Sequence, residues 1–105
     1  MAAERTTFVA LVELGLHYNE SGSLKGKRKE ISSLKALLRQ RFGASVAETS
    51  GHDTWQRTTL LCALVGGSAE QLENCADRLE AVVVARAGDS CSFTRDLRSL
   101  EDLRV

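Results

Sequence analysis

From Thr7 to His17 the chain alternates, with Phe8, Ala10, Val12, Leu14 and Leu16 on one face and Val9, Leu11, Glu13 and Gly15 on the other. A period of two in a stretch rich in β-formers predicts a first strand. Tyr18 to Gly22 then carries Asn, Ser and Gly, which favour turns. Leu24, Ile31, Leu34, Leu38 and Phe42 recur at helical spacing, and Gly43 supplies the stop of this first helix. Ser45 to Ser50 and Arg57 to Val65 return to β character on either side of a polar Gly51-His52-Asp53-Thr54 segment, so a hairpin of second and third strands is expected. After Gly66-Gly67, Ser68 and Gln71 have capping-box spacing. Leu72, Cys75, Ala76, Leu79, Val82 and Val83 then form the apolar stripe of a second helix that runs to about Arg86. Gly88 breaks it, and Cys91 to Leu97 predicts a fourth strand of weak alternation, ahead of a charged tail from about residue 98.

The order β-α-β-β-α-β is the ferredoxin-like split unit, an α+β sandwich in one domain spanning residues 1–105. Right-handed crossovers place both helices on one face of a four-stranded antiparallel sheet, with strands one and three central. The other face is left open. Strand three is apolar on both sides, with Leu61, Ala63 and Val65 opposite Leu60, Cys62 and Leu64. Added to Val9 and Leu11, its outward side makes an apolar patch that predicts a homodimer through the open sheet face.

Composition narrows the function classes. An apolar fraction of 43% with 27% charged residues is that of a globular domain. No run approaches the length needed to cross a bilayer, and Met-Ala-Ala-Glu-Arg at the start lacks a hydrophobic secretion segment, so a cytoplasmic protein with no membrane partner is expected. Cys62, Cys75 and Cys91 lack paired spacing and read as free thiols within strands or helix rather than as zinc or redox ligands. No Ser or Cys nucleophile signature is present, Gly66-Gly67-Ser68 is too short for a nucleotide-binding loop, and adjacency of His52 and Asp53 does not by itself make an acid-base pair. The expectation is a protein without catalytic residues, metal or cofactor.

Charge changes the picture once its distribution is followed. Lys plus Arg and Asp plus Glu are equal at 14 each, yet helix one carries Lys25, Lys27, Arg28, Lys29, Lys35, Arg39 and Arg41 against Glu30 alone. At helical spacing, Lys25, Arg28, Ser32, Lys35 and Arg39 share one flank beside the apolar stripe. Such a ridge suits phosphate backbones, and it also suits an ordinary solvated face. The topology brings the start of helix one and the turn of the hairpin to the same end of the sheet. There Tyr18 and Ser23 to Arg28 approach His52, Asp53, Trp55, Gln56 and Arg57. A helix start offers unpaired N–H groups that favour anions. Lys27 lies near the apolar face and must extend past the sheet end to keep its charge solvated. Trp55 either stacks on a base or caps the core, and His52 either contacts a ligand or orders the turn.

Ser23-Leu24-Lys25-Gly26-Lys27-Arg28, Ser45-Val46-Ala47-Glu48, Gly51-His52 and Trp55-Gln56-Arg57-Thr58 together resemble the YlxP-like family of small bacterial proteins, over nearly the whole chain. The resemblance implies a ferredoxin-like fold. The frequent neighbourhood of the family's genes to those for translation initiation factor two and ribosome-binding factor A implies a ribosome-associated role. It brings no catalytic residues. Two functions are therefore expected to compete. One is a binding protein that contacts a ribosomal subunit or RNA through Lys25, Lys27, Arg28, Lys35 and Arg39 with the corner residues His52, Trp55, Gln56 and Arg57. The other is a homodimeric regulatory domain that holds a small anion with Lys27, His52 and Arg57. A base-stacking sheet of the RNA-recognition type is disfavoured, because the open face lacks the aromatic residues it needs.

Overall fold

The computed structural model describes residues 7–18, 24–51, 56–88 and 90–104. Alternation in the first segment becomes β1 (Phe8–His17), and the helical stripe that follows becomes α1 (Leu24–Phe42). The hairpin is β2 (Ser45–Ser50) with β3 (Arg57–Gly66), followed by α2 (Ala69–Ala87), β4 (Cys91–Ser99) and one turn of helix, α3 (Leu100–Leu103). The strands form one antiparallel sheet in the order β2-β3-β1-β4, the ferredoxin-like arrangement, with β1 and β3 central.

The core lies between one sheet face and the two long helices. Ala10, Val12, Leu14 and Leu16 of β1 and Leu60, Cys62 and Leu64 of β3 meet Ile31, Leu34 and Leu38 of α1 and Leu72, Ala76, Leu79 and Val83 of α2. Leu14, Leu38, Leu60 and Leu79 are fully buried; each stabilises the fold by about 1.5–3 kcal/mol relative to exposure. Ser68 caps α2, its Oγ accepting from the Gln71 N–H at 3.2 Å, and Gly88 closes it with its N–H donating to Val84 O at 2.7 Å.

The fourth strand is longer than its residues suggested, and its alternation is regular. Cys91, Phe93, Arg95 and Leu97 face the helices while Ser92, Thr94, Asp96 and Arg98 face outward. Arg95 hid this pattern, being a cation in an inward row. It is held there by α2, where Glu80 at 2.8 Å, Asp77 at 3.0 Å and Glu73 at 3.3 Å surround its guanidinium. Burial works against that charge, but the bonds to Glu80, Asp77 and Glu73 outweigh it and raise the pKa above the ordinary arginine value. The expected tail therefore contributes Arg98 and Ser99 to the strand. Beyond them Ser99 and Asp102 form a reciprocal capping box, and hydrogen bonding from Ser99, its backbone N–H first, lowers the Asp102 pKa.

The open face has two ends. Around Leu11 it is apolar, with Val9, Leu11, Leu61 and Ala63 half-buried and Val65 73% exposed. Toward the far end of β1 it becomes polar, through Gly15, His17, Arg57 and Thr59.

Two glycines with positive φ differ in surroundings. At Gly43, φ 65°, a Cβ would meet nothing within 4 Å, whereas at Gly51, φ 86°, it would stand 2.3 Å from Arg57 O. Gly43→Ala should therefore cost only the left-handed backbone penalty, about 1–2 kcal/mol, and Gly51→Ala distinctly more, because backbone must move. Urea unfolding of the two variants side by side checks this; equal losses would mean that the hairpin end yields freely.

Candidate nucleic-acid interface at the first helix

The Leu-x-x-x-Leu rhythm of α1 rotates Lys27 inward with Ile31, Leu34 and Leu38. Lys27 is 5% exposed. Its Nζ passes the end of the sheet and donates to Gly51 O and Arg57 O, each at 2.8 Å. A β-bulge between Glu48 and Ser50 shapes this end of the hairpin. Ser50 then meets Thr59, Oγ to Oγ1, at 2.8 Å, and the buried Thr58 hydroxyl donates to Glu48 Oε2 at 2.7 Å. Lys27 has its pKa lowered from the ordinary lysine value, chiefly by burial, with Glu48 opposing the shift and Arg28 adding to it. The end of β1 joins the same corner, where Tyr18 N–H donates to Gln56 O at 2.7 Å. Burial, and secondarily Glu30, push the Tyr18 hydroxyl up to about 12.

The sequence candidates thus take different places. Lys27, Gln56 and Arg57 come together at the corner through backbone carbonyls. Arg39 lies farther along α1 and donates from Nη2 to Val46 O at 2.8 Å, tying the helix to the edge strand β2. Lys25 and Arg28 are exposed and Lys35 is half-exposed. Arg28 and Lys35 line a cleft of about 210 Å³ between α1 and β2, shared with Lys27, Ser32 and Glu48. His52 and Trp55 lie outside the described residues. Glu30, the acid of this helix, is bound by Arg86 Nε of α2 at 3.1 Å. Arg86 also reaches Ser33 Oγ at 2.5 Å. The acid of this helix is thus engaged from α2.

The expected trio of Lys27, His52 and Arg57 around one anion has a different geometry where it is described. Lys27 meets the carbonyl of Arg57, while the Arg57 side chain belongs to the opposite sheet face, with His17 across from it on β1. Sequence reasoning missed the His17–Arg57 pairing because it depends on strand register. The signal available was that Gly15, His17 and Arg57 all fall on the non-core side of their strands.

The arrangement offers fixed cations on a rigid helix. Among the described residues, no group of three or more His, Cys, Asp or Glu could hold a metal ion. Cys62, Cys75 and Cys91 form no disulfide; the Cys91 thiol donates to Gly88 O at 3.2 Å, and burial pushes Cys62 up to about 11. No helix among the described residues is long and apolar enough to cross a membrane.

A family model described as "Protein of unknown function (DUF503)" matches residues 9–93. The chain belongs to this family. The segment matched runs from Val9 in β1 to Phe93 in β4 and takes in the whole of α1 and the hairpin. A curated relative, "Uncharacterized protein YlxP" of Bacillus subtilis, is 34% identical over 64 residues, 61% of this chain and 70% of its own length. Among solved structures, the de novo designed protein Foldit4 matches with a TM-score of 0.56 over 88% of this chain and 96% of its own, at 10% identity. That likeness is one of fold alone.

Within this family member, Lys27→Met should cost about 1–3 kcal/mol, because two carbonyls at the hairpin end lose their donor. The sign of the pH effect follows from the lowered pKa. Below 10.5 the unfolded chain binds more protons at this lysine than the folded one, so its titration adds stability as pH rises toward 10.5. The margin of the wild type over Lys27→Met should therefore widen between neutral pH and that value. Urea midpoints of both proteins at each pH check it; a constant margin would mean that the buried amine is charged equally in both states.

Proposed function

We propose that the protein is a cytoplasmic binding protein without catalytic activity that docks on RNA of a ribosomal subunit through the outer flank of α1. The observation that carries this reading is the charge of that helix, seven Lys and Arg against the single Glu30, whose carboxylate is already engaged by Arg86. Lys25 to Arg39 spans about 21 Å of helix, long enough to follow several phosphates. Backbone contacts of this kind give affinity and salt dependence without base readout. The resemblance to YlxP-like proteins supports the same class of partner.

The apolar end of the open face favours an accompanying homodimer. The row Val65, Val9, Arg98 and the row Leu61, Glu13, Thr94 flank the row of Ala63, Leu11 and Asp96. Two copies packed face to face over Leu11 would bury the apolar side chains of these rows between them. Sheets packed this way leave α1 on the outside of the pair, so dimerisation and RNA contact use opposite faces.

Binding of a ribosomal RNA fragment should weaken steeply with salt. Replacing Lys25, Arg28 and Lys35 together by Ala should lower the slope of log affinity against log salt by about 2–3, with the urea midpoint of the variant measured beside it to separate lost contact from lost fold. Arg39 is kept in this variant because it also holds β2. An unaltered slope and affinity would remove α1 from the interface. For the pair, light scattering at micromolar concentration should give twice the mass of the chain, falling to one chain in Leu11→Glu; a monomeric wild type would rule the dimer out.

A further inference from the structure

The polar end of the open face carries a hollow that neither the basic helix nor the apolar patch uses. Along one row Thr59, Gly15 and Ser92 stand side by side on β3, β1 and β4, and in the next Arg57 faces His17. Gly15 forms the floor because it has no side chain; a Cβ there would lie 2.6 Å from Ser92 Oγ. Over it opens a cleft of about 510 Å³, with His17, Arg57, Thr59, Ser90 and Ser92 around the wall. That volume is within the range of about 300–1,000 Å³ typical of small-molecule sites.

The wall is rich in donors. Arg57 brings a guanidinium, His17 an imidazole, and Ser92 and Thr59 bring hydroxyls. Ser50 Oγ donates to Thr59 Oγ1, which leaves the Thr59 hydrogen to donate onward. No carboxylate is among the described residues that line the cleft; Glu13 lies two residues farther along β1, beside the apolar patch. Donors converging from a fork, a ring and hydroxyls on two strands suit a tetrahedral oxyanion better than a planar carboxylate, for which the arginine fork alone is sufficient. The cleft exceeds the size of phosphate itself, so room remains over Gly15 for the group that carries it.

We propose that this hollow binds a small phosphomonoester, its phosphate between Arg57 and His17 and its organic body over Gly15, between Thr59 and Ser92. The site is on the opposite sheet face from α1 and is independent of the RNA reading.

The test follows backbone amide resonances of the full chain during titration with inorganic phosphate and with phenyl phosphate at constant ionic strength. Saturable shifts at Gly15, Thr59 and Ser92 are expected, with phenyl phosphate the tighter. Combining Arg57→Gln with His17→Gln should weaken binding at least about tenfold, as should Gly15→Val, which fills the floor and serves if the double variant does not fold. The Lys25, Arg28, Lys35 alanine variant should bind like the wild type. Absence of saturable shifts, shifts confined to α1, or undiminished binding in the Gly15 variant would overturn the site. Phenyl phosphate no tighter than inorganic phosphate would overturn the monoester and leave an inorganic phosphate site.

Discussion

A buried ammonium holds the corner on which the rest of the site depends. Placing Lys27 at 5% exposure would be costly if its charge were left without partners. Two carbonyls at the hairpin end, Gly51 O and Arg57 O, and the nearby Glu48 provide the compensation. In return the ammonium ties the first turns of α1 to the point where β2 hands over to β3. The helix is thereby fixed in rotation as well as position: Ile31, Leu34 and Leu38 face the sheet, and Lys25, Arg28 and Lys35 are turned toward the outer flank and the β2 edge. Arg39 repeats the device farther along, on Val46 O. Two cations of a helix whose charge suggests RNA binding are thus first of all part of the scaffold, and their charge still adds to the field outside.

Neutrality of the whole chain conceals a division across the molecule. Basic residues concentrate on α1, next to the β2 edge. On α2, beside β4, Glu70, Glu73, Asp77 and Glu80 outnumber Arg78 and Arg86. Arg95 draws three of these acids together, and Arg86 crosses to Glu30. A separation of charge between two helices of one layer orients the molecule in the field of an anionic partner without requiring net charge. The open sheet face is divided in a different way, into an apolar end that can exclude water and a polar end with converging donors. Because sheet and helices are joined by one core, the three surfaces keep fixed relative positions.

Much of the fold was legible in the order of residues. The strict alternation of β1, the heptad-like rhythm of α1, the cap at Ser68 and the stops at Gly43 and Gly88 are local signals, and each marks an element that the structure contains. β4 was less legible because Arg95 occupies an inward position, which local pattern treats as a break. Only the acids of α2, distant in sequence, make that position tolerable. The same distance explains the uneven legibility of the candidate site. The excess of cations on α1 can be counted directly, and the corner follows from topology. Which nitrogen finds which carbonyl depends on a β-bulge at Glu48 and Ser50, and no short pattern announces it.

By itself the sequence determined the four strands and two long helices, their order, the apolar character of both sides of β3 and the charge of α1, since these depend on neighbours within a few residues; the last turn, α3, it read as a charged tail. The tertiary structure decided where charge is spent. It turned Lys27 and Arg39 toward backbone carbonyls, set Arg95 among three carboxylates, and sent the Arg57 side chain to the opposite face from its own carbonyl, beside His17. The physical reason is register: one residue of shift along a strand exchanges its two faces, and register is fixed only when the strands and helices pack together.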